Sequence, residues 1–139
     1  MGKNIKIRFI LDHDQGIDPN EPVGDIIISN THSKLSDKST YLDSWFDVLI
    51  DGYQALKSNK KLTLEILEEP NPITFEPILN GFKISYGKQK LSFNSLKEFD
   101  QSLLTSAQDF LRQLEQDNLS NFFLLNKIAN FTDNQIQVS

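Results

Sequence analysis

The side chains in this sequence best suited to chemistry are carboxylates, and they fall into two groups. The first is Asp12, His13 and Asp14, with Asp18 and Glu21 close behind and a second histidine at His32. Carboxylate oxygens and imidazole nitrogens are the ligands that divalent metals take. If the flanking strands pair as an antiparallel hairpin, His13 sits at the turn and His32 beyond the open end, about 25 Å away at roughly 3.3 Å per residue. The two imidazoles then share no site. A solvated acidic turn is the simpler reading, and its alternative is a small metal-dependent or acid/base enzyme using the segment from Asp12 to Glu21.

The second group is Asp43, Asp47 and Asp51, spaced every four residues inside a strongly periodic stretch. On a helix they form one acidic stripe, and none has a lysine or arginine four residues away. Like charges at that spacing cost a few tenths of a kcal/mol per pair, and only Asp43 is offset by the positive helix N-terminus. The stripe is either an ordinary solvated face or a row of carboxylates that meets a cationic partner. Glu65, Glu68, Glu69 and Glu76 follow at strand ends. Of these, Glu68, Glu69 and Glu76 join the three aspartates as the expected partner-binding set. They are also the loosest candidates for a carboxylate pair in acid/base catalysis, for which strand-end charge is the simpler account.

Other chemistries find nothing to attach to. Gly16, Gly24, Gly52, Gly81 and Gly87 are isolated from one another, so no phosphate-cradling loop or nucleophile elbow is present. No cofactor is expected. The chain has no cysteine, which removes disulfides, thiolate metal sites and thiol nucleophiles, and fits a reducing compartment. Its 19 acids and 14 bases give a formal charge of −5, with only Arg8 and Arg112 as arginines. That balance argues against nucleic acid, which favours dense basic stripes, and favours a basic protein partner through complementary fields. The first residues contain no apolar core of a signal peptide, and no run is long enough to span a bilayer. The expectation is a cytoplasmic protein that does not engage a membrane.

These residues must be positioned by strands and helices that the periodicity predicts. Ile5, Ile7, Phe9 and Leu11 alternate as a strand with one buried face. A turn-rich stretch to Pro22 leads to a second strand over 23–30, antiparallel to the first because ten residues are too few for a helical crossover. Residues 31–39 read as a polar loop ending at Thr40, an N-cap for a helix to about Lys57. Its apolar arc comprises Leu42, Trp45, Phe46, Leu49, Ile50, Tyr53 and Leu56. Trp45 and Tyr53 are expected in the core, and Gly52 marks close approach of a neighbouring backbone.

Further strands are expected over 61–68, 73–79, 82–86 and around Leu91 and Phe93. Asn80-Gly81 supplies a type I′ hairpin turn, and Pro77 places its strand at an edge or interrupts it. Ser95 and Glu98 form a capping box for a second helix with an inner face of Leu96, Phe99, Leu103, Ala107, Phe110, Leu111 and Leu114. The run from Leu119 to Phe131 reads as a short third helix, with a strand as its alternative. Its Phe122-Phe123-Leu124-Leu125 core points all round and suits burial between layers or a homodimer contact through Phe122 to Phe131. The expected fold is α+β: an antiparallel sheet of about six strands, in the order ββαββββα plus the short helix, with two amphipathic helices against it. Residues 1–131 form one domain, and 132–139 a frayed tail.

The pattern Trp45-Phe46-Asp47-x-Leu49-x-x-Gly52-x-x-Ala55-Leu56, followed by Glu68-Glu69-Pro70, Phe75-Glu76-Pro77 and Ser85-Tyr86 before a Phe-rich helix, resembles small bacterial proteins of the toxin-immunity type. The resemblance covers roughly Asp43 to Leu114. It implies a compact, acidic, noncatalytic α+β protein that neutralises a cognate toxin by covering its basic surface. No binding residue carries over from it. A homodimeric structural or regulatory protein is the remaining alternative.

Overall fold

The alternation at the start of the chain gives β1 (Lys6–Leu11), whose Ile7, Phe9 and Leu11 are buried while Lys6 and Arg8 face out. The computed structural model describes residues 5–12 and 22–116. Within them the order is β1, β2 (Val23–Ser29), β3 (Lys34–Tyr41), α1 (Leu42–Lys57), β4 (Leu62–Leu64), β5 (Ile73–Ile78), β6 (Gly81–Tyr86), β7 (Gln89–Phe93) and α2 (Leu96–Gln116). The fold is α+β, with two helices and two antiparallel sheets among the described residues, β1-β2-β3 and β4-β5-β6-β7. The expected single sheet of about six strands is therefore corrected to seven strands in two sheets, in the order βββαββββα.

The additional strand is β3, which the sequence presents as a loop because six of its eight residues avoid burial. A bulge explains the pattern. β3 pairs Leu35 with Ile28 and Asp37 with Ile26, but then Thr40 with Gly24, so one extra residue is inserted near Ser39. Ser39 has a left-handed φ of 51°, and its N–H donates to Asp25 Oδ1 at 3.1 Å. A bulge shifts strand parity, and here it turns Thr40 to the same inner side as Leu35 and Asp37. Thr40 is thus a buried strand residue and not the helix cap. Tyr41 occupies the N-cap position without a side-chain bond, and Leu42 N–H is satisfied by Pro22 O at 2.9 Å.

α1 ends in a Schellman motif. Asn59 is left-handed at φ 57°, Lys60 N–H reaches Ala55 O and Asn59 N–H reaches Leu56 O. The expected strand over 61–68 shortens to β4, because the chain turns at Ile66, with Glu69 N–H donating to Ile66 O at 3.0 Å. β4 covers only Ile73 to Phe75 of β5. Beyond it Pro77, in register with Phe82, has its nitrogen at a sheet edge, where a missing N–H costs nothing. The β5–β6 hairpin turns at Leu79 and Asn80, since Ile78 pairs with Gly81, one residue earlier than the Asn80-Gly81 reading. Gly81 has a different reason to be glycine: a Cβ there would lie 2.5 Å from Phe93 O.

The core is one cluster drawn from both sheets and both helices. α1 packs on β5 and β2, bridging the sheets, and α2 packs on β1 and α1. Phe9 stacks on Phe110 at 5.0 Å, and Tyr53 on Phe99 at 6.1 Å. Trp45 and Tyr53 are buried as expected. The neighbour that demands Gly52 is the Phe75 ring, 2.5 Å from where a Cβ would sit, a side chain and not a backbone. At α2 the Ser95 hydroxyl accepts from Glu98 N–H at 3.2 Å, one arm of the anticipated capping box. The third helix over 119–131, the tail over 132–139, the side chain of Leu114 and the residues from His13 to Glu21 lie outside what the structure describes.

Candidate functional site

Two arrangements of polar side chains come together from separate parts of the chain. The first is on the solvent side of α1. Asp43 and Asp47 are half-buried and Asp51 is exposed, on the arc opposite the buried Trp45, Leu49, Gly52 and Leu56. Ser44, Asp47 and Asp51 are spaced i, i+3 and i+7, so they occupy one flank. Onto that flank the turn Ile66–Glu69 docks, with Leu67 N–H donating to Ser44 Oγ at 3.0 Å. The tip of the turn displays Leu67, 45% exposed, and Glu68, exposed and left-handed at φ 63°. A non-glycine residue pays roughly 1–2 kcal/mol for that conformation. The result is an exposed leucine beside carboxylates from a helix and a turn.

The second arrangement lies where the sheets meet. Between β3 and β7 the Gln89 side chain stands in for a backbone ladder. Ser36 N–H donates to Gln89 Oε1 at 2.8 Å, and Gln89 Nε2 donates to Ser36 O at 3.0 Å. Asn30 Nδ2 donates to Ser92 O at 2.6 Å further along. On the inner side of this seam Tyr86, 5% exposed, directs its hydroxyl to Asp37 Oδ2 at 2.7 Å and to Glu69 Oε1 at 3.2 Å. Trp45 crosses the Tyr86 ring edge-on at 5.0 Å, and its Nε1–H donates to Thr40 Oγ1 at 2.9 Å.

Electrostatics there follows from burial among acids. Desolvation pushes the Tyr86 hydroxyl far above its ordinary pKa, and the Asp37 and Glu69 carboxylates push it further. Glu69 is raised as well, first by desolvation. The hydrogen bond from Thr40 lowers it, the charge and hydrogen bond of Asp37 raise it, and the bond from Tyr86 lowers it. A phenol held this firmly neutral is a hydrogen-bond donor and not a base.

The six residues expected to contact a partner are distributed unevenly. Asp43, Asp47 and Asp51 share α1's outer arc, and Glu68 joins that side through the docked turn. Glu69 turns inward to Tyr86. Glu76 stands on the opposite, outer face of its sheet and pairs across the strands with Lys83 at 3.2 Å. That outer face, continued on β1 to β3, carries Lys6, Arg8, Lys34, Lys83 and Lys90 against Asp25 and Glu76, so bases gather on the side away from α1. Periodicity and motif singled out neither Asp37 nor Tyr86 as members of a site, and gave Thr40 a different role. The available signal was a tyrosine on the inward parity of a strand, whose buried hydroxyl requires a partner.

His32 is exposed in a turn in which Asn30 Oδ1 accepts from the His32 and Ser33 N–H groups at 2.8 and 2.6 Å. Among the described residues no group of three or more His, Cys, Asp or Glu is placed to hold a metal ion, and no helix is long and apolar enough to cross a membrane. An open groove of about 350 Å³ beside α2 is lined by Ile5, Glu98, Gln101, Ser102 and Thr105, away from both arrangements. Compared with protein-family models, curated proteins and solved structures, the chain matches none.

Proposed function

We propose that this chain is a noncatalytic protein-binding domain of the toxin-immunity type, which neutralises a basic partner by covering it with the α1 flank and the Ile66–Glu69 turn. The observation that supports it most is the turn tip. Glu68 is kept in a left-handed conformation that glycine would adopt without strain, beside an exposed Leu67 and against a helix flank bearing Asp47 and Asp51. Strained backbone clusters at binding sites, and this is the ground on which the tip is read as a contact. An apolar contact rimmed by charge suits a partner whose approach is electrostatically steered. The proposed contact set is Asp43, Asp47, Asp51, Leu67 and Glu68, in the cytoplasm.

The test is association kinetics with a basic toxin domain that the chain is found to neutralise, at two salt concentrations. Asp47→Lys with Asp51→Lys should slow association at least several-fold and flatten its salt dependence. Glu68→Gly should weaken binding while stabilising the fold by about 1 kcal/mol, since it relieves the left-handed strain. Unaltered rates in these variants count against this surface.

A further inference from the structure

We propose that Asp37, Glu69 and Tyr86 form a proton-dependent clamp: one proton on the Glu69 carboxyl fastens the Ile66–Glu69 turn and the second sheet to β3, and its loss loosens that joint. The inference stands apart from partner binding, because it concerns what holds the two sheets together.

Counting hydrogens carries it. A phenol has one hydrogen, and the Tyr86 hydroxyl spends it on Asp37 Oδ2 at 2.7 Å. Its contact with Glu69 Oε1 at 3.2 Å is left as the weak second branch of that one hydrogen, and the hydrogen bond between the Glu69 and Asp37 carboxyls needs a proton between two acceptor oxygens, which a protonated Glu69 supplies. Two ionised carboxylates on one buried hydroxyl would leave an acceptor facing an acceptor, with like charges on either side. Each element packed around the site is accounted for. β3 contributes Asp37 and Thr40, the turn contributes Glu69, β6 contributes Tyr86, α1 contributes the neutral Trp45, and β7 contributes the neutral Gln89. The charge acting on Glu69 is that of Asp37, and those acting on Tyr86 are Asp37 and Glu69.

Glu69 holds its proton more tightly in the folded chain than a free glutamate does, through burial first and Asp37 next. The stability linked to that proton is fully present below the unfolded pKa and is lost as pH rises through the folded one. The clamp is closed in acid and weakened towards neutrality.

Two measurements on the full chain test the clamp. Carbon-13 NMR of the Glu69 Cδ should give a titration midpoint above that of an ordinary glutamate, moved downward by Asp37→Asn. The urea midpoint of the wild type should fall across that same titration, and Glu69→Gln, which keeps an N–H donor but cannot ionise, should lack that fall. A Glu69 carboxyl titrating at its ordinary value overturns the clamp, as do superimposable pH profiles for wild type and Glu69→Gln. Should the variant fail to fold, the wild-type NMR titration is decisive by itself.

Discussion

Phe75 lies flat against the backbone of Gly52, closing the space between β5 and α1 to ring thickness. Alanine is the better helix former by about 1 kcal/mol, so propensity alone predicts that Gly52→Ala stabilises. The ring is fully buried and cannot retreat, and overpacking of that kind costs about 1–3 kcal/mol. The expected outcome is a net loss of about 1 kcal/mol in chemical denaturation, partly recovered when Phe75→Leu is added. A double-mutant cycle checks the coupling; additive losses would mean that the two residues do not compete for the same space. The residue scale is also where the sequence is most readable. Trp45, Tyr53, Phe99, Leu103, Ala107 and Phe110 are buried as their spacing requires, because a helical apolar arc depends only on local order. Asp37, Tyr86 and Glu69 are illegible as a group, because they meet across 49 and 17 residues of chain, and nothing local records such a meeting.

Both outer strands of the first sheet meet a glutamine. Gln113 on α2 donates through Nε2 to Phe9 O at 2.7 Å and accepts from Leu11 N–H at 3.2 Å, so β1 is bonded along its outer side much as Gln89 bonds β3. An open edge is a template for unwanted pairing, and a carboxamide sets an N–H donor beside a carbonyl acceptor much as a peptide group does. Gln113→Ala and Gln89→Ala should each cost about 1–3 kcal/mol, the penalty for a partly buried backbone pair left without its partner. Amide hydrogen exchange should accelerate at Leu11 in the first variant and at Ser36 in the second. Unaltered exchange at those amides would mean that water replaces the side chain at no cost. The elements themselves are legible to unequal degrees. α1 and α2 lie where the pattern puts them, whereas β3 resembles a loop because a bulge breaks its alternation and its remaining face is polar. β4 is shorter than its alternation suggests because the turn at Ile66–Glu69 carries no glycine to announce it.

For the whole molecule, α1 bridges two sheets that share one core, and the single tryptophan, Trp45, stands on Tyr86 at their junction. Its fluorescence therefore reports on the joint, while far-UV circular dichroism reports on the strands and helices of both halves. If the halves unfold together, the two urea transitions coincide. An earlier fluorescence transition would reveal that the joint opens while each sheet persists. Charge is segregated at the same scale, with carboxylates beside α1 and lysines on the outer strand faces, a division invisible in the net value of −5 because composition has no direction. The seam between β3 and β7 has one more implication. A backbone ladder is indifferent to the side chains it carries, but this joint is spelled in side chains. Single codon changes at Gln89 or Asn30 can therefore loosen it without touching a side chain of the shared core. Evolution can redraw the outline of this molecule there without rebuilding it.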